Sequence, residues 1–351
     1  MGYNTNMKSR NNAIAIISIL SLQHFLVDFL CALTMYGILS VHLQPGLKPM
    51  YYNLLAFALQ MPFGALADWL PVRKNQSASL LCILLAIVCL AFGIRGSVLA
   101  LGLGNALFHV GGGILTIEQD NDKGFKGRGL GSFVAPGAIG LTLGILLGKQ
   151  GRTALLTAGL LLVVLLFALL LYIYYRDKLF SPKIQAAISA DCLPMVLFCL
   201  FVVIIRSLTG LSVAFSWKDT TLEIILCTVA LAAGKCAGGF AQAEFGMKKT
   251  IIVTLALSAV CYLLSDIEVF GILALFLFNM TMPLTLYMLA RKLPQAVGLA
   301  FGILTFGLFI GYLPYVFGLL EGVSGQLIGF IGSILSLVIL LAAEREQNTN
   351  V

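Results

Sequence analysis

Residues 64–74 decide the fold of this chain, and they read Gly64-Ala65-Leu66-Ala67-Asp68-Trp69-Leu70-Pro71-Val72-Arg73-Lys74. The segment leaves an apolar stretch, makes a short turn that carries one acid and two bases, and enters the next apolar stretch. A related segment recurs about half a chain length later, as Gly239-Phe240-Ala241-Gln242-Ala243-Glu244-Phe245-Gly246-Met247-Lys248-Lys249. An apolar chain whose charged turn recurs in this way is typical of two helical bundles made from one duplicated plan.

The composition is that of a membrane protein. Sixty per cent of the 351 residues are hydrophobic and 11% are charged, whereas soluble domains carry about 25% charged residues. The net charge of +7 comes from basic residues scattered at the ends of apolar runs. Because these bases form no patch with interleaved aromatic residues, nucleic acid is not an expected partner. The expected partner is the lipid bilayer.

Twelve apolar runs approach the length of about 20 residues that a membrane-spanning helix needs. They cover roughly 14–39, 48–67, 77–94, 98–117, 130–148, 153–174, 193–214, 221–242, 249–265, 267–289, 296–319 and 324–343. With the N-terminus inside, fifteen Lys and Arg residues fall in inner segments and five in outer loops, as the positive-inside rule expects. We therefore predict a multi-pass protein of the cell membrane with both termini in the cytoplasm.

The twelve spans divide into two similar halves. We predict an all-α protein with a six-helix bundle at 1–175, a cytoplasmic linker at 176–192 and a second six-helix bundle at 193–351. The linker is too short to hold another domain, and a monomer is expected.

The arrangement resembles the major facilitator superfamily, in which a Gly-x-Leu-Ala-Asp turn ending in Arg-Lys follows the second helix. Three further stretches resemble its fosmidomycin-resistance-type efflux branch: Gln23–Phe29 in helix 1, Gly102–His109 in helix 4, and Arg206-Ser207 in helix 7. The Pro136/Gly137 pair and the glycines that follow it in helix 5 resemble a motif of antiporters, although close helix packing explains them equally well.

The resemblance implies that the repeated turn closes the inner gate, with Asp68 favouring the outward-facing state. The gating candidates are Gly64, Asp68, Arg73, Lys74, Glu244 and Lys248. The second copy has Ala243 where Asp68 stands, which leaves its gating role open. Residues 118–128 read as a solvated loop of mixed charge, with a gate contact as the alternative, and Lys235 reads as a residue that extends to the inner surface.

Four ionisable residues lie in the middle band of the predicted spans: His24, Asp28, His109 and Arg206. Charges at this depth are costly and normally face a cavity or a partner. In the family that the chain resembles, helices 1, 4, 7 and 10 line the central cavity. Asn105 in helix 4, and Asn279 and Thr281 in helix 10, are uncharged candidates for substrate contact; interhelical hydrogen bonds are the alternative for the last two.

His24 and Asp28 are four residues apart and share one helix face. We assign Asp28 as the main proton carrier, His24 as the group that tunes it and His109 as a second proton-coupling candidate, against a static hydrogen-bonded pair. Arg206 keeps its charge and either pairs with Asp28 or binds an anionic substrate group.

The sequence lacks the motifs of zinc, acyl-transfer and nucleotide sites, and its eight cysteines show no metal-ligand spacing. We therefore expect no cofactor or metal, no enzymatic reaction, and transport driven by an ion gradient. The preferred prediction is a secondary transporter that works by alternating access and exports a small organic molecule in exchange for protons, the direction of export coming from the resemblance. The alternatives are a proton symporter that imports a small anionic nutrient, and a non-transporting membrane protein such as a lipid scramblase.

Overall fold

The computed structural model describes residues 2–39, 47–70, 75–151, 153–175 and 190–349. Within these ranges the chain consists of helices and short connections, without a strand. The predicted gating residues Arg73 and Lys74 and most of the predicted linker lie outside the described residues.

Twelve helical segments follow one another in the described chain. They are α1 (Gly2–Gly37), α2 (Leu47–Asn53, a π-helical turn Leu54–Ala58, and Gln60–Trp69), α3 (Asn75–Gly93), α4 (Val98–Asp122), α5 (Arg128–Val134 and Pro136–Gly148), α6 (Ala154–Tyr175), α7 (Leu193–Ser212), α8 (Thr221–Phe245), α9 (Met247–Leu263), α10 (Glu268–Asn279 and Thr281–Lys292), α11 (Val297–Val316) and α12 (Gly325–Thr349). A 3-10 turn, Ala190–Cys192, precedes α7.

Most of the helices have the length that a bilayer requires. Nine of the twelve are long and apolar enough to cross a membrane, judged on the described residues. The other three are α2, which the π-helical turn interrupts, and the shorter α3 and α9. Together they confirm the predicted twelve-helix fold.

The chain reverses direction between α3 and α4, in the gap between the predicted spans 77–94 and 98–117. Gly96, between α3 and α4, has a φ of +114°, a conformation that favours glycine. Ser97 then caps α4 by accepting a hydrogen bond of 3.2 Å from the Ala100 N–H. These local signals keep two adjacent apolar runs from forming one long helix.

Helix pairs among α1–α6, the first half of the chain, have counterparts among α7–α12, the second half. α1 packs on α5 as α7 packs on α11, α3 packs on α4 as α9 packs on α10, and α3 contacts α6 as α9 contacts α12. The halves meet mainly where α2 crosses α11 and where α8 crosses α5. These crossings are also related, because α2 and α8 occupy equivalent places in the two halves, as do α5 and α11.

Glycines set the distance at both crossings. A Cβ atom on Gly64 of α2 would lie 2.5 Å from the carbonyl carbon of Gly298 on α11. A Cβ on Gly131 of α5 would lie 2.7 Å from the Cys236 carbonyl oxygen on α8. Since real Cβ atoms do not approach backbone so closely, side chains here would push the halves apart.

Two of the helices, α5 and α10, are interrupted along their length. Pro136 has no N–H to donate and clashes with the carbonyl four residues earlier, so α5 is interrupted at Ala135. α10 is interrupted at Met280, three residues before Pro283. Broken helices free backbone groups inside the bundle for other partners.

Candidate functional site

α1 and α4 bring three ionisable side chains into direct contact. His24 Nε2 lies 3.2 Å from Asp28 Oδ2, and His109 Nε2 lies 3.6 Å from Asp28 Oδ1. The two Nε2 atoms lie 2.9 Å apart. Both histidines are buried, with exposed fractions of 6% and 7%. We call His24, Asp28 and His109 the histidine–aspartate cluster.

Backbone carbonyls fix the orientation of both imidazole rings. His24 Nδ1 lies 2.7 Å from the Phe133 carbonyl oxygen, beside the break that Pro136 makes in α5. His109 Nδ1 lies 2.9 Å from the Asn105 carbonyl oxygen. A carbonyl can only accept a hydrogen bond, so each Nδ1 carries the hydrogen. Each neutral ring therefore presents an unprotonated Nε2 towards the cluster.

The cluster needs a positive charge at its centre. With both Nδ1 atoms protonated, the facing Nε2 atoms and the Asp28 carboxylate are all acceptors, and acceptors repel one another at these distances. One proton between His24 Nε2 and His109 Nε2 turns the repulsive contact into a charge-assisted hydrogen bond, with Asp28 as the counter-ion. The 2.9 Å separation leaves no room for a hydrogen on each nitrogen, so this contact holds a single proton.

The donor atoms of the same three residues lie within 4.8 Å of one another, close enough in principle for a metal ion. However, two nitrogen ligands of a tetrahedral ion with bonds of about 2.0–2.1 Å would be roughly 3.3 Å apart. The observed 2.9 Å separation is that of a hydrogen bond. The geometry therefore favours a proton.

Asn105 and Gly137 complete the surroundings of the cluster. Asn105 Nδ2 donates a 3.1 Å hydrogen bond to Asp28 Oδ1, so this predicted substrate contact is a partner of the carboxylate. A Cβ on Gly137 would lie 2.5 Å from Asp28 Oδ2, so a side chain at this position would displace the cluster. Titratable groups near the cluster among the described residues include Cys31 of α1, Tyr52 of α2 and Lys235 of α8.

Arg206, on α7, lies apart from the cluster as a buried cation. Its exposed fraction is 8%, its Nε has no hydrogen-bond partner, and no carboxylate of the described residues forms an ion pair with it. Asp28 is not its partner. Lys235 is only partly exposed, and its charge interacts with Arg206 and Asp28. The expected extension of Lys235 to the inner surface does not account for these interactions.

Asn279 and Thr281, the other predicted substrate contacts, lie at the break in α10 and are buried. Asn279 Nδ2 donates to the Leu275 carbonyl at 2.9 Å, and the Thr281 hydroxyl donates to the Phe278 carbonyl at 2.7 Å. Both side chains thus bond within their own helix and support its broken geometry.

Asp68, on α2, caps the N-terminus of α11 where the two helices cross. Its Oδ1 accepts from the Gly298 N–H at 3.2 Å and its Oδ2 from the Leu299 N–H at 2.7 Å. These donors belong to the first turn of α11, where N–H groups lack partners within the helix and the helix dipole favours negative charge. Gly64 permits the close approach, so two predicted gating residues lie at one contact.

The second crossing is held by residues beside the position equivalent to Asp68. Glu244 pairs with Arg128 at the start of α5, and the Gln242 amide donates to the Lys126 carbonyl. Lys248 is exposed and forms no ion pair with Glu244. The sequence indicated no role for Gln242, and for the loop that contains Arg128 it favoured solvation over a gate contact.

Asp120 supports this second crossing from the end of α4. The supposed loop begins inside that helix, and Asp120 is 1% exposed. Its Oδ2 accepts from the Gly127 N–H at 2.7 Å and its Oδ1 from the Gly129 N–H at 2.8 Å. Asp120 therefore caps α5, whose first residue, Arg128, pairs with Glu244.

We expect Asp120→Ala to destabilise the protein, because two buried N–H donors would lose their acceptor. The cost is about 1–3 kcal/mol for each unsatisfied donor, and it should appear as a lower melting temperature of the purified protein. Asp122→Ala, at an exposed position of the same helix end, is the matched control and should leave the melting temperature unchanged. Equal melting temperatures for the two variants would contradict the capping role.

The comparisons with known proteins support the fold. No protein-family model and no curated protein sequence matches the chain, but its structure is similar to solved transporters. The match to FucP, a transporter of the major facilitator superfamily crystallised in the outward conformation, has a TM-score of 0.69 at 11% identity and covers 96% of this chain and 99% of that one.

Two further solved structures agree with this match. A variant of the Escherichia coli fucose:proton symporter FucP gives a TM-score of 0.69 at 12% identity, covering 96% of this chain and 99% of that one. The human organic anion transporter MFSD10 (TETRAN) gives 0.66 at 14% identity, covering 95% and 99%. None of these matches supports the efflux branch in particular. At these identities the likeness shows the fold alone: the chain has the twelve-helix fold of major facilitator transporters.

Proposed function

We propose that this chain is a proton-coupled secondary transporter in which the histidine–aspartate cluster carries the proton. The observation that supports the proposal most strongly is the convergence of two Nε2 atoms and a carboxylate whose mutual repulsion one proton removes. The fold, shared with solved transporters, supports alternating access between its two halves.

The cluster has the properties of an exchangeable proton site. Imidazole is the side chain that changes its charge most readily near neutral pH. With one bridging proton, the two histidines and Asp28 have no net charge, whereas loss of the proton leaves an uncompensated carboxylate. Because low polarity penalises an unbalanced charge, the protonated and deprotonated forms of the cluster differ in free energy.

The two crossings supply the candidate gate. Asp68 at the α2–α11 crossing and Glu244 at the α5–α8 crossing each join one half of the chain to the other. In this proposal both contacts break when the halves rock apart at this end. The predicted topology places this end at the cytoplasm.

The test of the proposed function is proton movement in liposomes. Compounds that raise the melting temperature of the purified protein bind its folded form, and these are then added outside vesicles that contain the protein and a pH-sensitive dye. A change in internal pH that requires both the compound and the protein is the expected result. Uptake of the compound without any proton movement would overturn the coupling.

We further expect ¹⁵N NMR of histidine-labelled protein to detect the bridging proton. The chain contains only three histidines, and His42→Gln removes the one outside the described residues. His24 and His109 should both carry hydrogen on Nδ1, with one proton coupled to the two Nε2 atoms. Hydrogens on Nε2 of both rings with bare Nδ1 atoms would contradict the geometry on which the proposal rests.

A further inference from the structure

Arg206 on α7 and Lys235 on α8 are two cations without a counter-ion among the described residues. No carboxylate of the described residues lies within ion-pair distance of either side chain, and neither donates a hydrogen bond to a described residue. Arg206 is more than nine-tenths buried, and its Nε contacts no acceptor. In the same structure the Arg128 guanidinium pairs with Glu244, so the lack of a carboxylate partner is a feature of the surroundings of Arg206.

The arrangement is costly in the absence of a ligand. A buried charge without a partner loses its hydration and gains nothing in return. Lys235 lies where α8 packs on α5, because a Cβ on Gly131 would be 3.0 Å from the Lys235 carbonyl oxygen. Phe133, two residues further along α5, contacts His24 through its own carbonyl. At this position the charge of Lys235 acts on Arg206 and on Asp28 and His109 of the cluster. Lys235 therefore connects the second half of the chain electrostatically with the histidine–aspartate cluster in the first half.

We propose that Arg206 and Lys235 bind the anionic group of the transported substrate, a carboxylate or phosphate of a small organic molecule, which moves together with the proton. The planar guanidinium of Arg206 can hold two oxygens of such a group, and the Lys235 ammonium adds a second charge. This inference rests on the proposed function and gives it a substrate class.

The sign of the electrostatic coupling decides between symport and antiport. Without a substrate, the positive charge of Lys235 opposes the arrival of a proton at the cluster. A bound anion neutralises that charge, so it promotes protonation, and protonation promotes anion binding to the same extent. Two ligands that favour each other's binding travel together. The cations thus favour proton symport of an anion over the export in exchange for protons that the sequence suggested.

The first experiment measures the stability of the empty protein. Arg206→Met and Lys235→Met remove an unpaired charge at similar volume, so in anion-free buffer each should raise the melting temperature, as expected where function is built at the expense of stability. A lowered melting temperature in both variants would show that the cations support the fold, and would overturn the proposal.

The second experiment measures binding by the shift in melting temperature. The probes are benzoate, succinate, citrate, glycerol 3-phosphate and inorganic phosphate, with the methyl esters of the three carboxylates as uncharged controls. At least one anion should stabilise the wild-type protein, and Arg206→Gln should weaken that binding by about tenfold or more. Arg206→Lys, which keeps the charge, should retain part of it. Inorganic phosphate alone would identify a free oxyanion rather than an organic one.

Two results would overturn the anion site: stabilisation by none of the anions, or equal stabilisation of the wild type and Arg206→Gln. If the bridging proton is observed by NMR while no anion binds, this inference fails and the proposed function stands. If an anion binds through Arg206 but moves no protons, the proposed coupling fails and the anion site stands.

Discussion

Asp28→Asn is expected to abolish compound-driven proton movement in liposomes. The substitution preserves the size of the side chain but removes the counter-ion of the proton shared by His24 and His109. Removing one partner of a buried ion pair costs about 3–5 kcal/mol, which corresponds to a roughly 100-fold or greater loss of proton occupancy. The flux measured with the internal pH dye should therefore fall to the level of vesicles without protein.

Two further variants make this result specific. Asp28→Glu retains the carboxylate and should keep a measurable part of the flux, while Asp219→Asn, at an exposed position between α7 and α8, should behave as wild type. The melting temperature of Asp28→Asn shows whether the variant is folded. A folded variant with undiminished flux would place the coupling proton elsewhere in the chain.

The sequence predicted the His24–Asp28 contact and named His109 as a further proton-coupling candidate, because ionisable side chains inside a bilayer have few alternatives. His24 and Asp28 share a helix face, and His109 lies at a similar depth, so contact among them satisfies all three. The direct contact between the two rings could not be predicted. It depends on the carbonyls of Phe133 and Asn105, and the residue types do not indicate which backbone carbonyl each ring will meet.

The depth of Lys235 and the partners of Glu244 at the second crossing were not predicted, for geometric reasons. α8 continues to Phe245, so Lys235 lies roughly 15 Å from its end at about 1.5 Å per residue, too deep for a simple surface anchor. At the α5–α8 crossing, Ala243 occupies the position equivalent to Asp68. Its neighbours Gln242 and Glu244 make the contacts instead, and comparison position by position does not detect such an exchange.

The α2–α11 crossing gives the second large effect: Gly64→Ala should prevent this end of the molecule from closing. The new Cβ would overlap the Gly298 backbone, which no rotamer change can relieve. Asp68 would then be held away from the Gly298 and Leu299 N–H groups, whose charge-assisted bonds are worth about 1.5–3 kcal/mol each. We expect faster hydrogen exchange in the first turn of α11, together with transport reduced by about tenfold or more.

A matched glycine separates this steric effect from helix propensity. Gly159, on α6, has open space where a Cβ atom would be added. Gly159→Ala should therefore change neither transport nor hydrogen exchange in α11, while improving helix propensity by about 1 kcal/mol. Asp68→Asn should give an intermediate result, because it keeps the close approach but weakens the cap on α11. If Gly64→Ala and Gly159→Ala show the same hydrogen exchange and the same transport rate, closure at this crossing does not control the transport cycle. Hydrogen exchange should therefore increase in the order wild type, Asp68→Asn, Gly64→Ala. This order is expected if backbone contact contributes more than the Asp68 charge to closing the gate.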